Sequence, residues 1–294
     1  MSGEALALLS AFFYGLAGVS IAKGKSTAKG DNGVFLSVVM TALLTLVLWL
    51  GWGNVSIPSL FTAENTGGLA FFVIAGLCAS VLGRSAMYRA TERIGALKAS
   101  LFRRLIPVFA VPCAIILLDE LPAPQAIIGG GVILIGVLAY MGAPRGCSQK
   151  SCAYGDMLGI ASALFYASAY SFRSLGLQDI PDPALGTLIG AVVGVLWFAI
   201  AAALSAAPKA AIGRLLLDRG RWQYITALSL SFGQTLQFFA LQSASVPTVA
   251  VLGALEVFFS AMLVAFVFKT ETLRPIRFAV ASALATLGTF IVFV

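Results

Sequence analysis

The chain reads as a succession of apolar runs about twenty residues long, separated by short stretches rich in glycine, proline and charge. A helix rises about 1.5 Å per residue, so roughly 20 residues cover the hydrocarbon core of a bilayer. Runs such as Val34 to Gly51 do not alternate apolar with polar positions, which excludes the strands of a membrane barrel. The pattern predicts ten spanning helices, over residues 5–22, 33–53, 68–88, 96–118, 125–142, 155–175, 184–206, 222–243, 247–268 and 274–293. The fourth is the weakest, because Lys98, Arg103 and Arg104 precede its short apolar stretch from Leu105 to Leu118. These arginines are expected to snorkel to the cytoplasmic interface or face protein, with attraction of a substrate carboxylate as the alternative.

The ten segments divide into two fives. Gly3, Glu4, Leu6, Ser10, Phe13 and Tyr14 correspond to Gly155, Asp156, Leu158, Ser162, Phe165 and Tyr166, and further along Glu120 corresponds to Glu271 and Gly136 to Gly288. The expected organisation is a first five-helix repeat over 1–143, a linker over 144–154 and a second repeat over 155–294. Five crossings per repeat is an odd number, so the second repeat enters the membrane upside down relative to the first. Inverted repeats place a substrate site near the midplane between the halves, where rocking exposes it to each side in turn.

Composition agrees with an all-α polytopic membrane protein: 60% of residues are hydrophobic and 11% charged, which excludes an ordinary soluble domain. The net charge of +7 is spread over short loops and forms no folded basic face, so no nucleic-acid partner is expected. Histidine is absent, so any proton coupling has to use carboxylates. Cys78 and Cys113 lie in apolar segments and Cys147 and Cys152 in the linker; all four are read as free thiols. No basic stretch precedes the first apolar run, which is read as a retained helix and not a signal peptide. There is no P-loop, no H-E-x-x-H and no histidine-based constellation, so no enzyme activity, cofactor or metal is expected.

Lysine and arginine mark the cytoplasmic side of membrane proteins. Of the nineteen here, all but Arg173 are assigned to one side, with Arg84, Arg89, Arg93, Lys98, Arg103 and Arg104 placed around the connection of the third and fourth segments. This puts both termini on the non-cytoplasmic side.

Glu256 lies near the centre of the ninth segment, where an acid costs about 2.5–3.5 kcal/mol on insertion scales and so faces a cavity or a partner. Binding of a substrate ammonium or an ion, a structural hydrogen bond and proton coupling are the open readings. Gln234 and Gln237 are three residues apart and share a helix face, suited to a zwitterion's polar groups or to helix pairing. Tyr14, Tyr166 and Tyr170 sit inside their segments, away from the interfacial belt, and suit either a cavity wall or packing. Gly186, Gly190 and Gly194, and the group Gly129, Gly130, Gly131 and Gly136, are expected to permit close helix approach. Pro107 and Pro112 are candidate kink positions. Trp49, Trp52 and Trp222 are read as interface anchors, with Trp197 deeper.

The stretch Ala99-Ser100-Leu101 through Pro107 to Asp119-Glu120, Gly129 and Gly136, with its counterpart Ala250, Leu252, Glu256, Glu271 and Gly288, resembles the drug/metabolite transporter superfamily. Within it the chain resembles EamA-type ten-helix exporters, most of all bacterial exporters of aromatic and other amino acids. That resemblance implies a basket-like bundle with a central cavity lined mainly by the first, third, fourth, sixth, eighth and ninth helices. The match is not symmetric, since no proline stands near Phe258 to answer Pro107.

The expectation is a bacterial inner-membrane exporter of aromatic or broadly neutral amino acids, working by alternating access in the lipid bilayer. Its substrate-binding candidates are Tyr14, Tyr166, Tyr170, Gln234, Gln237 and Glu256. The alternative is efflux of drugs or cationic metabolites attracted by Glu256; a channel would need a more continuous polar pore. Oligomeric state and energy source are not legible.

Overall fold

The computed structural model describes residues 2–56, 65–96, 102–119, 121–140 and 149–268, with isolated positions elsewhere. Every regular element among these residues is helical. In chain order they are α1 (Gly3–Gly24), α2 (Val34–Trp52), α3 (Thr66–Ile94), α4 (Ile106–Leu118), α5 (Pro124–Tyr140) and α6 (Gln149–Asp179). There follow α7 (Pro183–Ala203), α8 (Pro208–Leu217), α9 (Arg221–Leu241), α10 (Val246–Gly253) and α11 (Glu256–Met262). Most of the tenth predicted segment lies outside the described residues, as do Glu120, Cys147 and Glu271.

Helix starts follow side-chain chemistry. Ser2 accepts from the Ala5 amide, Asp182 from Leu185 and Ser245 from Thr248, each satisfying an amide that the first turn leaves unpaired. Before α2, the Asp31 carboxylate accepts from the Gly33 and Phe35 amides while Asn32 and Gly33 turn the chain at φ of 56° and 81°. Pro107 lies in the first turn of α4, where its missing amide costs nothing, and Pro112 lies within the helix.

Four elements depart from the hydropathy pattern. The third segment continues unbroken to Ile94, with a π-helical stretch at Leu77–Gly83. The sixth runs from Gln149, inside the expected linker, to Asp179. The fourth and ninth are interrupted: a 3₁₀ turn at Arg103–Leu105 precedes α4, and Ala254–Leu255 separates α10 from α11. Leu105 (φ −75°, ψ −9°) and Leu255 (φ −71°, ψ −10°) take nearly the same backbone conformation at the two interruptions. The amphipathic α8 was not expected; it carries no buried residue.

Five helical stretches among the described residues are long and apolar enough to cross a bilayer: α1, α2, α3, α7 and Val246–Ala265, with α4 and the start of α5 as shorter apolar helices. Leu50, Ile116, Ile127, Leu196 and Ile200 point outward and are more than half exposed, as a lipid-facing belt requires. Inside, α1 lies along α9, α3 along α6 and α7, α2 against α7 and α9, and α4 against α6 and α10. The α3–α7 approach depends on glycine: a Cβ on Gly76 would stand 2.6 Å from the Gly190 Cα. Gly186 packs on Phe72 and Phe238, and Gly194 on Val38 and Ser80, so the α7 glycine series serves close packing.

Candidate functional site

Two matching contacts frame the centre. The Ser10 hydroxyl on α1 donates to the Gly233 carbonyl on α9 (2.7 Å), and the Ser162 hydroxyl on α6 donates to the Gly83 carbonyl on α3 (3.1 Å). One turn along, Tyr14 covers Gly233 and Tyr166 covers Gly83; a Cβ on Gly83 would crowd the Tyr166 ring at 3.1 Å, whereas one on Gly233 would make ordinary contact with the Tyr14 ring at 3.4 Å. The two rings meet edge to face with centroids 6.3 Å apart.

Between them lies Arg103. Its guanidinium stands 4.8 Å from the Tyr14 ring centroid and 4.7 Å from that of Tyr166. Its Nε is 3.0 Å from the Glu256 carboxylate, and both side chains are buried. The ion pair therefore joins the interruption before α4 to the start of α11. A cation between two aromatic faces in a desolvated site gains about 2 kcal/mol or more from the ring quadrupoles, which offsets part of the cost of removing it from water. Of the two readings, snorkelling to the interface and facing protein, Arg103 takes the second: it is internal, and its partner is the acid already singled out.

Arg84 and Arg173 are the larger correction. The sequence places both toward the ends of their segments, 68–88 and 155–175, with Arg84 counted on the cytoplasmic side and Arg173 on the opposite side. Each is 1% exposed. Arg84 donates to Ser37 (3.0 Å), to Thr41 (3.4 Å) and to the Gln234 amide oxygen. Arg173 donates to the Gln237 amide oxygen and stands 4.7 Å from the Phe238 ring centroid. The Nε atoms of all three arginines lack a well-aligned hydrogen bond, but that of Arg103 lies against the Glu256 carboxylate, whereas those of Arg84 and Arg173 face no charged partner. Hydropathy ended the two segments near these arginines because a cation lowers the local mean. The helices continue because α9 supplies an internal acceptor for each.

All six candidate residues therefore meet at one place. Tyr14 donates to Gln237 (3.5 Å), Tyr170 packs in the same buried core as Tyr14 and Tyr166, and Gln234 and Gln237 each accept from an arginine. All six are 4% exposed or less. The residues not foreseen are the three arginines in this role and the α2 series Ser37, Thr41 and Thr45. The four-residue spacing of that series was a visible signal: it puts three hydroxyls on one face of an apolar helix, where Thr41 meets Ser231 (3.1 Å).

A cavity of about 450 Å³ lies away from this cluster, at the ends of α2, α7 and α9 beside Trp52, Asp182 and Gln242. The Asp182 carboxylate is already engaged there, accepting from the Asn54 and Leu185 amides. At the other end of the bundle Asp218 accepts from the Lys29, Gly30 and Asn32 amides (2.7, 2.9 and 2.7 Å), and Asn32 bridges to Glu92 and Gln223. Burial, with Asp218 nearby, pushes the Asp31 carboxyl above its ordinary range despite the amides it accepts from. Among the described residues no cluster of histidine, cysteine or carboxylates suits a metal ion.

The sequence model of the EamA-like transporter family matches residues 1–142. A solved crystal structure 14% identical in sequence superposes with a TM-score of 0.69 over 98% of this chain and 95% of its own, a likeness of fold alone. No curated protein matches the sequence.

Proposed function

We propose that this chain, whose residues 1–142 match the EamA-like transporter family, is a membrane transporter of the drug/metabolite superfamily that exports amino acids or closely related carboxylate metabolites across the bacterial inner membrane. The observation that carries this reading is the buried meeting of three guanidiniums, one carboxylate, two amides and three tyrosines at the contact of α1, α3, α6 and α9. Such a set has donors for a carboxylate, acceptors for an ammonium and aromatic faces for a side chain. The role first considered for Glu256, holding a substrate ammonium, passes in part to the amide oxygens, since its own charge is matched by Arg103. Efflux of cations loses its motive for the same reason.

Alternating access between inverted halves is the mechanism we favour. It is supported by the exchange in which the first helix of each half lies on the third of the other, with Ser10–Gly233 answering Ser162–Gly83. The closed cluster then corresponds to an occluded state, and the Arg103–Glu256 pair is the contact that must part when one face opens. Purified protein in liposomes is expected to move labelled phenylalanine or threonine; flux no greater than through empty liposomes refutes the assignment.

A further inference from the structure

Among the described residues, the centre of the bundle holds Arg84, Arg103 and Arg173 against a single buried carboxylate, that of Glu256. Arginine does not lose its proton in proteins, so the charges cannot be relieved by titration. Arg103 and Glu256 cancel. Arg84 and Arg173 do not, because each is held only by neutral groups: hydroxyls and the Gln234 amide for the first, the Gln237 amide for the second. Gln234 and Gln237 are neighbours on one helix face, with Cβ atoms about 5–6 Å apart, so the two guanidiniums are presented roughly one turn from each other. Each retains an Nε–H with no acceptor.

We propose that Arg84 and Arg173 form a two-point site for a compact organic dianion, bridging the two halves of the transporter. This rests on the cluster being the transport site and narrows the substrate within it: a molecule with two negative charges neutralises the occluded centre, whereas a zwitterion leaves it doubly positive. The planar guanidinium fork accepts a carboxylate or a phosphate oxygen pair equally well, so two kinds of dianion share this chemistry. Arg84 comes from α3 and Arg173 from α6, so occupation of both points draws together helices of different halves. The glutamine amides hold the forks in place while the site is empty.

The test uses the full-length protein in liposomes loaded with unlabelled solute, following uptake of labelled succinate, phenyl phosphate and phenylalanine. Exchange of one or both dianions at least ten times faster than phenylalanine supports the proposal, and the two dianions distinguish a carboxylate from a phosphate substrate. Arg84→Gln and Arg173→Gln should each weaken competition by the preferred dianion at least tenfold. Because either variant can fail to fold, the wild-type selectivity is decisive without them. Phenylalanine moved as fast as the dianions or faster overturns the dianion site and leaves the export reading standing. No solute moved above empty liposomes overturns both.

Discussion

Replacing Glu256 by Gln keeps the shape of the side chain and removes its charge, leaving the Arg103 guanidinium buried between Tyr14 and Tyr166 with no counter-charge. At a 3.0 Å separation and an effective dielectric constant of about 20, the gross attraction is on the order of 5 kcal/mol. Desolvation of both groups cancels much of that in the intact pair, but breaking the pair leaves the cost of the remaining charge uncompensated, about 3–5 kcal/mol. Removing both partners, as Arg103→Met with Glu256→Gln, abolishes the buried charges together and should recover most of the loss. Equilibrium unfolding in mixed micelles, followed by tryptophan fluorescence, gives the four free energies of the cycle. A coupling of about 2 kcal/mol or more is expected. Additivity within about 0.5 kcal/mol, the range seen for independent sites, would refute the assignment of this pair as the link between the two helix interruptions.

Four further outcomes follow from the same structure. Gly76→Ala should destabilise by about 1–3 kcal/mol through the clash with Gly190, while Gly18→Ala, which meets nothing within 4 Å, should not; thermal unfolding of the two variants side by side decides this. Asp218→Ala should free three amides of the α1–α2 connection at a cost of about 1–3 kcal/mol, with faster hydrogen exchange at Lys29, Gly30 and Asn32; unchanged exchange would dismiss the carboxylate as their anchor. Asp31 lies outside the spans, and its raised pKa means that its contribution to stability is present below the unfolded value near ~3.9 and is lost as pH rises through the higher folded value. Asp31→Asn should therefore flatten the fall in stability across that window, and a parallel pH profile for wild type and variant would contradict this. A C-terminal reporter active only in the cytoplasm should stay silent if Lys23, Lys25, Lys29, Lys209, Arg214, Arg219 and Arg221, with the three internal arginines set aside, mark the cytoplasmic side; strong activity would reverse the topology.

The sequence by itself determined the membrane-spanning, all-helical class, because apolar runs of bilayer length admit no other solution in a solvent that satisfies no backbone group. It also indicated the family, and it picked out Glu256, Gln234, Gln237 and the tyrosines, because polar atoms in the middle of apolar spans are costly enough to need a reason. The partners of these residues were decided only in three dimensions. Arg84 and Arg173 read as cations marking the ends of their segments, since a hydropathy window cannot distinguish a charge that ends a helix from one that a distant glutamine receives inside it. The interruptions at Leu105 and Leu255 were hidden for a similar reason: Arg103 and Glu256, which close on each other there, lie about 150 residues apart in the chain. Hydrophobicity is a local property that survives in one dimension. Charge compensation is a pairwise property, and it exists only once the chain has brought the pair together.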